Sequence, residues 1–383
     1  MSDTSTVLVG AKIFTGDRFL HDHAVVVKGD RIERVIPACE ITSDQDSVDL
    51  GGGILAPGFI DLQVNGGGGA FFTNETTVDS LARMLDGHRP TGTTSMLPTM
   101  ISDTRETHQA GVQAVADAVK KGMKGILGVH IEGPFFSVEK RGAHNEKYIR
   151  EMEKTDISWI SDIEGFKVMV TLAPEKAKAG QIKSLADAGV VVCAGHTNAE
   201  YDDIVNGIEE GLQGFTHLYN AMSPQTGREP GVVGAALSSK TTWCGLIADN
   251  HHVHKGSILV ALAAKPQGKL YLVTDAMSTV GSDEKSFTIY GEEIFEKDGA
   301  LVNAEGRLAG SAIGMIDAVR IMHKDVGISL EEALRMSALY PAEFMQLESE
   351  LGRVKAGHRA DLVHFNEKFV VQHTWVAGDH QAH

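Results

Sequence analysis

Cysteine is scarce in this 383-residue chain: Cys39, Cys193 and Cys244 are too few and too scattered for a disulfide framework or a Cys-based zinc site. No apolar run approaches the roughly 18–20 residues that a membrane span needs. The opening MSDTSTVLVGAKIF lacks the basic-then-apolar order of a signal peptide. These absences set the expectation of a soluble protein in a reducing cytoplasm. Positive charge is short as well: 35 Lys and Arg face 51 Asp and Glu, a formal net charge of −16. Such a surface repels phosphate backbones and anionic lipid, which disfavours nucleic-acid and membrane partners. The Walker lysine and the GxGxxG fingerprint are missing too, so the glycine run 66–69 reads as a flexible loop after a strand.

What is present describes a globular chain, 42 % hydrophobic and 22 % charged. Its length exceeds the span at which single cores split, so we expect two domains, or one large barrel with an accessory part. Both ends read as β structure: TVLVGAKIF, HAVVVKGD and RIERVIP at the start, RADLVHFNE and FVVQHTWVAGD at the finish. Too few strands lie at either end to be stable alone, which predicts one discontinuous unit. Between them eight apolar runs recur at 58–65, 94–100, 125–133, 167–175, 189–198, 214–220, 244–252 and 270–277, most separated by helical stretches.

That alternation predicts an α/β fold: a (β/α)8 TIM-type barrel with a small discontinuous β-sandwich formed by both termini. An open doubly wound sheet is the alternative. The expected boundaries are 1–56 and 351–383 for the β unit and 57–350 for the barrel, with 286–307 as an extra hairpin after the eighth strand.

In a barrel of this kind chemistry sits at the C-terminal strand ends. Six of the eight runs end in polar, proton-capable or metal-capable groups, among them Glu132, His196, His217 and Asp275. Period-two alternation puts His130 and Glu132 on one face. Singly, each histidine reads equally well as a hydrogen-bonded structural residue, and Glu132 or Asp275 as a helix or loop cap. Together, two imidazoles and a carboxylate form the donor set of a catalytic metal site with a position left open. Asp275 beside it could carry a proton to and fro. No lysine ends a strand as a bridging ligand between two metals would require. Cys193 reads as core, and His380 and His383 as solvated tail.

Taken in order, PGFIDLQVNGGGG, HIEGPFF, RGAHN, AGHTNA, THLYNAM, LIADNHHV, LVTDAMS and LAGSA resemble the N-acetylglucosamine-6-phosphate deacetylase family of the amidohydrolase superfamily. The likeness spans about residues 50–320. It implies hydrolysis of the acetamide of N-acetylglucosamine 6-phosphate to glucosamine 6-phosphate and acetate. It assigns Glu132, His196 and His217 to one divalent metal per subunit, zinc first, with iron(II), cobalt or manganese served by the same donors. Asp275 becomes the general base and acid, and His144 the group that polarises the carbonyl. Ala143, Asn220, Ala221, Arg228, His252, Leu308, Ala309 and Gly310 become substrate contacts, with Arg228 and His252 on the phosphate. A homodimer or homotetramer is implied too. One departure stands out: where many superfamily members carry His-x-His, this chain has Gln63 and Asn65. Neutral amides are poor zinc ligands, so a single metal is expected. An amidohydrolase acting on a cyclic amide, or a non-catalytic sugar-phosphate binder, remain the other readings.

Overall fold

The structure is a computed structural model that describes residues 5–42, 46–297 and 299–383. Residues 1–4 and 43–45 of the expected β unit, and Asp298 of the expected hairpin, lie outside the described residues. All eight apolar runs form strands of one parallel sheet: β1 Phe59–Val64, β2 Thr93–Met100, β3 Gly128–Glu132, β4 Lys167–Leu172, β5 Val191–Ala194, β6 Gly214–Phe215, β7 Trp243–Ile247 and β8 Leu270–Val273. Their spatial order is their chain order. Past the end of β8 the backbone returns to β1, with Asp275 N–H donating to Gln63 O at 3.0 Å and Asn65 N–H to Ala276 O at 2.9 Å. The barrel is thereby closed and the doubly wound alternative excluded, because that fold requires a reversal of strand order.

Helices α1 Val78–His88, α2 Arg105–Lys120, α3 Lys154–Ser161, α4 Gln181–Asp187, α5 Tyr201–Glu209, α6 Gly231–Ser238, α7 Lys255–Ala264 and α8 Met315–Ile321 form the outer ring. Local chemistry sets their ends. Thr77 and Ser80 form a reciprocal cap at the start of α1, which then buries Leu81 and Met84 against the sheet. β2 is buried along its whole length, as a strand covered on both faces must be. Pro98 within it has no N–H for the ladder, and the β1–β2 register slips between Met96 and Pro98.

The termini build two further sheets, and the segment Ile54–Pro57 joins them to each other across the chain: it pairs parallel with Lys12–Phe14 and antiparallel with Leu362–Phe365. Leu8, Ile13, Val25, Ile32, Leu55, Leu362 and Trp375 pack between the sheets. His380 and His383 are not tail. Strand Asp379–Ala382 pairs with Val371–Val376, His380 stacks on Trp375, and His383 reaches the Thr374 hydroxyl. The expected hairpin after β8 is larger than the sequence suggested, a four-stranded antiparallel sheet of Ser286–Ile289, Glu292–Lys297, Ala300–Asn303 and Leu308–Ser311. Its last strand, LAGS, is too short and glycine-bearing to announce itself, and tertiary pairing with Ala300–Asn303 makes it. No described helix is long and apolar enough to cross a membrane.

Candidate active site

The strand ends converge on a cavity of about 180 Å³. It is lined by Glu132, His196, His217, Asp275 and His144, and by Ala143, Asn220, Ala221, His252, Leu308 and Gly310 from the expected contacts. Ala309 faces an adjoining cavity of about 280 Å³ that shares the Gly142–His144 wall. Arg228 is exposed and lines neither. Of the residues picked out from sequence, it alone stands apart from the cluster.

Glu132 leaves the end of β3, His196 follows β5 and His217 follows β6, all three buried. His196 Nε2 lies 3.0 Å from His217 Nε2 and 3.4 Å from Glu132 Oε1, and His217 Nε2 lies 3.1 Å from Glu132 Oε1. Ligands held ~2.0–2.1 Å from a tetrahedral ion sit about 3.3 Å from one another. His196 donates Nδ1–H to the Lys140 carbonyl at 2.9 Å, which leaves its Nε2 lone pair facing the other two groups. Lone pairs and a carboxylate turned toward one another repel unless a cation lies among them, so this donor set fits a divalent metal. Among the described residues it is the one group of three metal-capable side chains so placed.

Asp275 stands beside it. Asn65 Nδ2 donates to Asp275 Oδ1 at 2.6 Å, and Gln63 Nε2 donates both to that oxygen at 3.2 Å and to Glu132 Oε1 at 2.9 Å. The two amides noted as a departure from His-x-His thus tie the two carboxylates together. Burial, then the nearby Glu132 charge, pushes Asp275 up to about 7. Beneath it Asp61 accepts from Thr274 N–H at 3.2 Å and from the Thr274 hydroxyl at 2.5 Å, bracing the residue before Asp275. His144 Nδ1 accepts from the Ser102 N–H at 3.1 Å, and burial holds the ring well below the ordinary histidine value. The ring is therefore neutral with its proton on Nε2, a donor.

His252 meets Asp249 through Nδ1 at 2.6 Å. Burial pulls this imidazole down, but Asp249 outweighs it, raising His252 above its ordinary value while Asp249 falls below its own, a shift toward the ion pair. A ring shifted toward its cation at the cavity suits an anion. Sequence reading missed the supporting residue Ser102 and gave Asp249 and Thr274 no role. Only Asp249 and Thr274 left a signal, as polar residues ending apolar runs.

A closed parallel barrel with one metal-capable triad and a buried carboxylate at its strand ends defines a metal-dependent hydrolase. The chain belongs to the amidohydrolase family: the "Amidohydrolase family" model matches residues 54–380, and the "NagA composite domain" model matches residues 7–55. More narrowly, it is 40 % identical to N-acetylgalactosamine-6-phosphate deacetylase of Shewanella sp. (strain ANA-3), over 99 % of this chain and 96 % of that one. It is 36 % identical to N-acetylglucosamine-6-phosphate deacetylase of Haemophilus influenzae, over 97 % and 98 %. The crystal structure of N-acetylglucosamine-6-phosphate deacetylase from Pasteurella multocida superposes with a TM-score of 0.96 at 38 % identity, covering 99 % of this chain and all of that one.

Proposed function

We propose that the chain removes the acetyl group of N-acetylglucosamine 6-phosphate, giving glucosamine 6-phosphate and acetate. The observation that carries this is the gathering of the Glu132–His196–His217 triad, Asp275 and the His144 donor on one cavity, with the Asp249-paired His252 beside them. An amide resists hydrolysis because its carbonyl is a weak electrophile and its amine a poor leaving group. A divalent ion would be held by Glu132, His196 and His217, and would supply acidity to water and charge stabilisation to the acyl oxygen. His144 donates Nε2–H to that oxygen as negative charge develops. Asp275, held by Asn65 and Gln63, takes the proton of the attacking water and returns it to the departing nitrogen.

One ion per subunit is proposed, zinc first, with iron(II), cobalt and manganese suiting the same donors. Engagement of Gln63 and Asn65 with the two carboxylates supports a single ion. His252 receives the phosphate. Arg228 joins it only if its loop, or that of a second copy in a homodimer or homotetramer, covers the mouth. Ala143, Asn220, Ala221 and the 308–310 strand hold the sugar. Residues 57–350 form the catalytic unit and 1–56 with 351–383 the accessory one, in a cytoplasmic enzyme.

The named relatives divide between the glucosamine and galactosamine epimers, so the test includes both. Metal-stripped protein is re-supplied with single metals, and acetate release is measured from both phosphorylated epimers and from free N-acetylglucosamine. Metal-dependent acetate release, fastest from the gluco epimer, is expected. Faster turnover of the galacto epimer would reassign the substrate, and turnover of cyclic amides alone would sink the deacetylase reading.

A further inference from the structure

A two-residue turn in the inserted sheet carries an unusual residue. Tyr290 and Gly291 link Ser286–Ile289 to Glu292–Lys297, with Ile289 paired to Glu292. Both have positive φ, 53° and 84°. Such turns favour Asn, Asp or Gly at the first position, and an aromatic residue there is strained. Strain of this kind persists where the surroundings use it. The use here lies at the phenol oxygen.

Tyr290 hydroxyl donates to the carbonyl of Ser102. Ser102 in turn addresses His144, its N–H donating to Nδ1 at 3.1 Å and its hydroxyl lying 2.8 Å from the same nitrogen. One phenol therefore holds the residue that reads the His144 ring.

We propose that Tyr290 is a positioning residue for His144, which acts through Ser102 to keep the ring proton on Nε2 and aimed at the acyl oxygen. This rests on the donor role given to His144 above. The chemistry makes the tautomer matter: a ring flipped to the other form would turn a lone pair on the developing oxyanion instead of a donor. Loss of one oxyanion donor costs ~10²–10³ in kcat, so loosening the donor should cost less, about tenfold. The inserted sheet then serves the site twice. Leu308 and Gly310 line the cavity from its last strand, and Tyr290 braces Ser102, the partner of His144, from its first turn.

Kinetics of the holoenzyme with N-acetylglucosamine 6-phosphate test this. Tyr290→Phe, which keeps the ring and loses only the hydroxyl, should lower kcat about tenfold, leave KM within about twofold, and leave metal content unchanged. In a His144→Gln background the same substitution should cost nothing further, because neighbours acting through one group are not additive. Imidazole ¹⁵N spectra should show the His144 proton on Nε2 in the wild type and a mixture in Tyr290→Phe and Ser102→Ala. Wild-type kcat in Tyr290→Phe overturns the proposal, as does the same fractional loss in the His144→Gln background. Near-normal turnover in His144→Gln alone would remove the donor role first. Metal-dependent acetate release would then stand separately.

Discussion

His196, His217 and Asp275 all adopt positive φ, 49°, 35° and 54°. L-residues spend ~1–2 kcal/mol to stay there, and at Asp275 the expense is met by clamps on either side, Asp61 to Thr274 and β1 to Ala276. Sequence made the identity and order of these side chains legible, because their types and strand-end positions carry chemistry. Their backbone state was illegible, since only glycine advertises the left-handed region. Two outcomes follow at this scale. Asp275→Asn keeps shape and the Asn65 contact, so metal content and Tm should hold while kcat falls ~10²-fold or more. Near-normal turnover would end the proton-shuttle role. Gln63→Ala strips a donor from Glu132 and Asp275 together, and supporting contacts of this kind are worth ~10–100-fold in metal affinity. Competition with a chelator measures the loss, and unchanged affinity would make Gln63 a bystander.

Elements were the easiest scale to read and the easiest to overextend. Near-continuous apolar runs located all eight barrel strands, yet the run at 214–220 yields regular pairing only over Gly214–Phe215. His217, Tyr219 and Ala221 all have positive φ, which turns the chain out of the sheet to build the site. Charge placement between helices left no periodic signal at all. Asp156, in the first turn of α3, is fully buried. It accepts from Arg105 Nε at 2.8 Å and from both terminal nitrogens of Arg150 at 2.6 and 2.8 Å. Burial alone would raise this carboxyl, but the Arg150 and Arg105 hydrogen bonds prevail and hold it well below the usual carboxylate range. Asp156→Ala leaves Arg150 without its carboxylate and Arg105 with Glu153 alone, and should cost about 2 kcal/mol, a Tm loss visible by calorimetry. The pH sign follows from the depressed value. The contribution is full above the unfolded aspartate pKa of ~3.9 and fades as pH falls toward the folded value. The Tm gap between wild type and variant should therefore be constant from pH 7 to about 5 and narrow below 4. A gap that widens in acid would show that the ion pair is not its source.

For the whole molecule, two terminal segments too small to fold apart predicted a shared β unit, and sheet pairing through Ile54–Pro57 joins them. Hidden from sequence was the continuity of the core: Phe14, Val363, Phe365 and Val371 pack in the same cluster as barrel residues Leu62 and Val129. The charge of −16 is likewise a property of the whole, and it opposes an anionic substrate only at long range. The Debye length shrinks from ~30 Å at 0.01 M salt to ~10 Å at 0.1 M, which removes distributed repulsion but leaves a contact inside the cavity. His252, whose pKa Asp249 raises, is such a contact. Two separable effects are therefore expected. Raising salt from 0.01 to 0.1 M should increase kcat/KM for N-acetylglucosamine 6-phosphate about two- to threefold and leave the unphosphorylated sugar flat. His252→Ala should raise KM for the phosphorylated sugar far more than for the free one at either salt. If kcat/KM instead fell with salt, the mouth would be attracting the anion from a distance, and positive charge beyond His252 would have to stand there. Arg228, from its own loop or a second copy's, would be the first residue to replace.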